Sequence, residues 1–298
     1  MVRDGQLVRK RHGTYATAEA VATGEKDNAH AHALAVRAAL MVASAAGAVA
    51  SHESAALIHG IPLLKEPSEG LVSLTRPATV FRDRPLRGVR FYPARLPAGH
   101  VTMELEVPVT TITRTVIDLS RTRSFMDGVV AADYAIRKLR VSKSALSAVI
   151  GACRGWPGTD RARRVVDFSD GRSGSPLESC ARVVFDAFRL PAPELQAEVS
   201  GGPRANSGGT VAHEHDEYNV DFMWQEYMTV AETDGLMMCD SGQRAIDERK
   251  RDRLIREAGY KLVHITRAEL LKYPEQIIQR VLDAFAATDD AWYRRCST

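Results

Sequence analysis

Four cysteines, Cys153, Cys180, Cys239 and Cys296, are all that the 298 residues hold, and none forms a Cys-x-x-Cys pair. This speaks against a disulfide scaffold and fits a reduced, cytoplasmic protein. No basic-plus-apolar leader of signal length opens the sequence. The longest apolar stretch, Ala38 to Ala50, is broken by Gly47 and falls short of the roughly 20 residues that span a bilayer, so no membrane segment is expected. No phosphate-cradling glycine loop follows a strand and no nucleophile elbow is present, which removes P-loop and α/β-hydrolase chemistry. Internal repeats are also lacking.

What is present is an uneven charge distribution. The net charge of +3 divides into 20 Lys/Arg against 13 Asp/Glu over residues 1–150 and 20 against 24 over residues 151–298. A positive N-terminal half suits a polyanionic partner, because neutralised phosphates release counterions. The acidic surplus of the second half concentrates between 201 and 250, with ten Asp/Glu against four Lys/Arg.

The length predicts two domains. Residues 1–150 read as a mixed α+β domain: a basic strand and turn over 7–16, helices from Asn28 and Ser51, strands at Val72–Thr75, Val89–Tyr92 and Val107–Thr110, then helices from Thr113, Ser124 and Ser142. Residues 151–174, rich in glycine, read as a linker. Residues 175–298 read as a mixed sheet flanked by helices, in the order α-β-β-β-α-β-α, so the chain is α/β (α+β) overall. Ser175-Pro-Leu-Glu178 has the pattern of a capping box with proline at the first helical position. Residues 201–216 read as a polar insertion.

The chemistry-bearing acids cluster around one predicted hairpin. With its tip at Glu226-Tyr227, Asp221 falls directly opposite Glu232, with Cβ atoms about 5 Å apart. Like charges so placed repel, and a hard cation such as Mg²⁺ relieves them. Asp234, two residues on, shares the Glu232 face. The competing reading is a solvated edge hairpin whose acids discourage aggregation. Glu178 has two alternatives, capping its own helix or joining the acids as a ligand. Arg249, Arg253 and Arg256 form a stripe at helical spacing, fit for phosphates or, alternatively, a solvated face paired with Asp252 and Glu257. His30, His32, His213 and His215 have chelate spacing but no cysteine partners. His52 and His59 read as core or capping residues.

Ser175-Pro-Leu-Glu178, Pro193-Glu-Leu-Gln196, Val220-Asp-Phe-Met-Trp224, Glu232-x-Asp234-Gly235, Glu248-Arg-Lys-Arg-Asp-Arg-Leu254 and Ala258 to Thr266 resemble, in order, the Vsr-like domain of the PD-(D/E)XK nuclease superfamily. The resemblance implies a restriction-endonuclease-like fold with Mg²⁺ held by Glu178, Asp221 and Glu232. Catalytic residues would be Asp221, Glu232 and Asp234, with Lys250 or Arg249 supplying a cation. Relatives commonly carry a lysine where this sequence has Met238, and Cys239 replaces an aromatic residue.

Residues 10–150 resemble the antitoxin-like region of AbiEi-type proteins through His12-Gly-Thr-Tyr-Ala16, Ser51-His-Glu-Ser-Ala-Ala56, Thr75-Arg-Pro77 and Val107 to Leu119. In that family a winged helix precedes these motifs. Here Arg9, Lys10 and Arg11 stand as the basic remnant of its wing and a nucleic-acid contact. The two resemblances together imply a nucleic-acid-associated protein of mobile-element, defence or toxin–antitoxin type, with Mg²⁺-dependent endonuclease-like activity in its second domain. The alternative is a catalytically inactive nucleic-acid-binding or antitoxin-like regulator that binds a toxin-like protein partner.

Overall fold

A computed structural model describes residues 7–11, 14–17, 27–43, 47–68, 70–77, 86–200, 217–234 and 242–296. The fold is α/β, and the chain divides into two compact units, Met1–Gly171 and Arg172–Thr298. No helix among the described residues is long and apolar enough to cross a membrane.

The first unit begins with a hairpin, β1 (Leu7–Arg11) against β2 (Thr14–Thr17), which carries Arg9, Lys10 and Arg11 on β1. Helix α1 (Asn28–Ala43) sets Ala33, Val36 and Ala39 into one apolar cluster with strand and helix residues that include Ala50, Ala55, Leu74 and Val109. Its sheet has the order β5-β4-β3-β7-β6, formed by β3 (Val49–Ala50), β4 (Val72–Arg76), β5 (Val89–Pro93), β6 (Val101–Glu104) and β7 (Val107–Thr110). Strands β3 and β6 escaped the sequence reading. The two residues of β3 follow an alanine-rich run that carries no period of two, and β6, Val-Thr-Met-Glu, alternates apolar and polar over only four residues, too short a run to stand out. Between β3 and β4 lies the short helix α2 (His52–Ile58).

Helices α3 (Ile112–Thr122), α4 (Phe125–Lys138), α5 (Lys143–Ala152) and α6 (Thr159–Phe168) complete this unit. Thr111, Ser124 and Ser142 cap the first three by accepting the backbone N–H three residues on. The segment 151–174, expected as a linker, is instead largely part of this unit. A buried charge pulls it in. Asp118 Oδ2 accepts from Arg114 Nε at 2.8 Å and its Oδ1 from Arg121 Nη2 at 3.4 Å, and both guanidiniums lie over the Trp156 ring. Arg121 Nη1 also donates to Pro157 O at 2.6 Å, and Arg161 donates to Ser120 O and Arg121 O. Of the glycines that suggested flexibility, Gly158 marks a close approach: a Cβ on it would stand 2.2 Å from Arg121 O.

The second unit opens with α7 (Pro176–Ala187) and continues through β8 (Glu194–Ser200), β9 (Glu217–Trp224) and β10 (Thr229–Asp234), an antiparallel run. Helix α8 (Gly242–Glu257) crosses to β11 (Lys261–Thr266), which lies parallel to β10, giving the order β11-β10-β9-β8. Helices α9 (Arg267–Lys272) and α10 (Pro274–Cys296) end the chain. Thr266 and Glu269 form the expected capping box at α9. Phe185 of α7 meets Phe222 and Trp224 edge-on, and Trp224 meets Phe285 of α10, so α7 and α10 cover one face. Ile255 of α8 packs with Val230 and Met223 on the other.

Gly158 lies at φ +79 against Arg121 O, whereas Gly155 lies at φ +80 in open space. Gly155→Ala is therefore expected to cost about 1–2 kcal/mol of backbone strain, and Gly158→Ala at least about 3 kcal/mol because the clash adds to the strain. Denaturant unfolding of the two variants checks this, and equal costs would show that residues 151–158 are not packed as described.

Candidate functional site

The hairpin register is the one expected: Trp224 pairs Thr229, Met223 pairs Val230 and Phe222 pairs Ala231. A tight 3-10 turn over Gln225–Tyr227, closed by Met228 at φ +44, supplies the tip in place of glycine or asparagine. Extended by one step, the register sets Asp221 beside Glu232, and Glu232 pairs His264 on β11. On the other side the pairing of β8 with β9 sets Gln196 beside Asp221, between Leu195↔Phe222 and Ala197↔Val220. One row of the sheet thus reads Gln196, Asp221, Glu232, His264.

The row is broken in the middle, and the break decides the chemistry. Gln196 sits at φ +52, a left-handed conformation that costs a non-glycine residue about 1 kcal/mol or more. Around it the pleat changes phase. Phe222 faces α7, yet Ala197 and Val220, which alternation would put on that same face, cluster with Ile255 of α8. The ladder between β9 and β10 ends at Ala231, and the Asp221 carboxylate takes over. Its Oδ2 accepts from Thr233 N at 2.8 Å and Thr233 Oγ1 at 2.7 Å. Adjacent strand residues point to opposite faces, so Asp221 lies on the Thr233 side and Glu232 on the other.

On the α7 side Asp221 joins Glu178. Gln196 Nε2 donates to Glu178 Oε2 at 2.9 Å and to Asp221 Oδ1 at 3.3 Å, holding the two acids around one carboxamide. Glu178 Oε2 also accepts from Gly174 N at 2.6 Å, while Ser175 Oγ accepts from Glu178 N and caps α7. Glu178 therefore serves the helix start and the site together. Burial, then the Asp221 charge, pushes its carboxyl above the ordinary range, and the amide donors only partly offset this.

On the α8 side Glu232 is 8% exposed and meets a different set. Arg251 Nη2 stands 2.6 Å from Glu232 Oε1 as an ion pair, off the line of a hydrogen bond, and donates instead to Asn219 O at 2.5 Å. Burial pushes Glu232 up to about 7 against the pull of Arg251, with Asp221 and Asp252 adding to the rise. His264 lies between two acids, with Nδ1 3.2 Å from Asp234 Oδ1 and Nε2 3.2 Å from Asp252 Oδ2. Burial pulls the imidazole down, but those two bonds outweigh it and leave His264 above its usual value.

The expected residues thus meet in two groups. Glu178 and Asp221 converge as predicted, and Asp234 shares the Glu232 face as predicted. Glu232 does not join Asp221 on one face, because the pleat switches at Gln196 and Asp221. Among the described residues no group of three or more His, Cys, Asp or Glu side chains is placed so as to hold a metal ion. The oxygen donors suit Mg²⁺ in kind, but their arrangement does not fit a three-carboxylate cage.

Lys250 is exposed, and the cation that reaches Glu232 is its neighbour Arg251. Helical spacing explains the difference: Arg251 lies four residues before the buried Ile255 and shares its face. Arg249, Arg253 and Arg256 are exposed, with Arg253 Nε 2.7 Å from Glu257 and Arg256 Nη2 3.5 Å from Asp252. The paired, solvated stripe is thus what α8 presents. Gln196, Arg251, Asp252 and His264 were not singled out by sequence. A count across the strands from the hairpin register finds Gln196 and His264, and the Ile255 phase of α8 finds Arg251. Met238 and Cys239 lie outside the described residues.

Two uncharacterized proteins of Mycobacterium tuberculosis, MT2308 of strain CDC 1551 / Oshkosh and Rv2248 of strain ATCC 25618 / H37Rv, are each 27% identical to this chain over 284 residues, covering 94% of it and 93% of their own length. The likeness spans both units. No family model matches the chain, and no solved structure does.

The Glu232 carboxyl carries a pH signature. Unfolded, it loses its proton near 4.5; folded, it keeps it to about 7, so the folded state binds more protons between those values and loses stability as pH rises through them. Glu232→Gln removes that loss. Relative to wild type the variant is expected to gain about 2–3 kcal/mol between acid pH and pH 8. Denaturant unfolding across the range checks it, and a pH-independent difference would contradict the burial described.

Proposed function

We propose that this is a nucleic-acid-associated protein whose C-terminal unit has a nuclease-type fold of the Vsr-like kind and acts by holding a phosphodiester backbone, with turnover restrained. One observation supports the reading: Glu178 on α7, Asp221 on β9 and Glu232 on β10, the acids that the resemblance assigns to a catalytic corner, are each tied to an internal partner. Asp221 is held by Thr233, Glu178 by Gly174 and Gln196, and Glu232 by Arg251. The order of helix, antiparallel run, crossover helix and parallel strand supports the same reading.

Binding would fall to the cations of α8 and of the first hairpin. Arg249 and Lys250, with Arg253 and Arg256 beyond their helical pairs, give α8 a basic outer face, and the first unit carries Arg9, Lys10 and Arg11 on β1. Exposed ion pairs such as Arg253 with Glu257 contribute little and yield readily to a phosphate. In the restrained site Glu232 holds or releases a proton near neutral pH, which is the property a general base for water needs. A group so perturbed beside a specific charge partner is a functional-site candidate.

Nucleic-acid binding is expected to weaken steeply with salt, and Arg249→Ala with Arg253→Ala to flatten the log–log slope by about one unit per lost contact. Filter binding or fluorescence anisotropy over a salt series measures this. Plasmid nicking in Mg²⁺ or Mn²⁺ is expected to be no faster for wild type than for Asp221→Ala. Asp221-dependent nicking would replace the restrained reading with an active endonuclease. Absence of binding at micromolar protein would favour the antitoxin-like alternative, in which the partner is a protein.

A further inference from the structure

We propose that Arg251 is the resident cation of the C-terminal carboxylate site, taking the charge-balancing place that a divalent metal holds in a nuclease corner and keeping Glu232 turned toward α8. The inference rests on the nuclease-type reading only for the kind of ion that Arg251 replaces. Three facts meet at this point. Glu232 Oε1 and Asp252 Oδ1 are both buried acceptors with no hydrogen-bond donor. The guanidinium stands 2.6 Å from the first of them and is anchored through Asn219 O at 2.5 Å. Among the described residues no group of three or more His, Cys, Asp or Glu side chains is placed to hold a metal ion.

A guanidinium suits this position better than an ammonium would. It is planar, always charged and weakly hydrated, so it enters a half-buried site at a lower desolvation cost. Mg²⁺ by contrast keeps near-octahedral geometry and sheds water reluctantly, and it finds too few free oxygens here. Removing the guanidinium would leave Glu232 and Asp252 as like charges out of water, with Arg256 at 3.5 Å and the His264 imidazole at 3.2 Å beside Asp252 alone, an arrangement that a divalent ion relieves.

The full chain tests this through thermal unfolding and Mn²⁺ titration calorimetry at pH 8, with wild type, Arg251→Met and Arg251→Met combined with Glu232→Gln. Wild type is expected to unfold at the same temperature in Mg²⁺ and in chelator. Arg251→Met is expected to be less stable in chelator, to recover on adding Mn²⁺, and to bind Mn²⁺ about tenfold or more tighter than wild type, since the repelling unit charge is gone. The double variant should lose that response. A wild-type midpoint that rises with metal as much as the variant's, or an Arg251→Met protein indifferent to metal, would overturn the proposal. Should Arg251→Met fail to fold, Arg251→Lys keeps the charge and is expected to remain indifferent to metal; a metal-dependent rise in its midpoint overturns the proposal equally. No nucleic acid enters these measurements, so a failure of the binding reading leaves their outcome independent.

Discussion

Carboxylates taken out of water repel one another, and the C-terminal unit is arranged around that cost. Four acids, Glu178, Asp221, Glu232 and Asp252, lie partly or wholly buried about one sheet, and the structure separates them into two groups on opposite faces. The device is the left-handed Gln196, which turns the pleat between Leu195 and Ala197 and offers its carboxamide to Glu178 and Asp221. A neutral amide donor lets those two share a small volume, and a full positive charge is reserved for Glu232, the acid that burial perturbs most. Backbone strain at one residue is thus exchanged for lower electrostatic repulsion at three.

The first unit solves the same problem differently. Asp118 is fully buried, and two arginines from its own helix flank it, at one turn before and one turn after. The pair would carry an excess positive charge into the core were it not spread over the face of Trp156, whose π cloud attracts cations. The motif Val107 to Leu119 therefore has a structural meaning, since it places Arg114 and Asp118 four residues apart on the inner face of α3.

How much of this was readable beforehand follows from which forces are local. Helix starts were legible at Ser124, Ser142, Ser175 and Thr266, because these residues act through the next turn of the chain, whereas the helix read from Thr113 begins under a Thr111 cap. The hairpin register was legible because a tip at Glu226-Tyr227 fixes every pair behind it, and Trp224 opposite Thr229 follows that count. Which way Asp221 points was not, since it depends on Gln196, twenty-five residues earlier, adopting a conformation its side chain disfavours. The role of Arg251 was hidden for a related reason: the charges of α8 look alike in sequence, and only the buried Ile255 distinguishes the inward face. Gly158 misled in the opposite sense, because glycine marks tight contact as readily as freedom.

The bond from Gly174 N to Glu178 Oε2 ties the site to the start of its own domain. The amide lies three residues past the boundary at Gly171, and its acceptor is an acid whose charge the Asp221 carboxylate opposes and the Gln196 amide supports. Whatever alters the charge on Glu178, a proton or an approaching cation, alters the grip on the first turn of the unit. Mechanical tension on the chain at 172–174 and electrostatic load at the carboxylates are in this way two readings of a single bond.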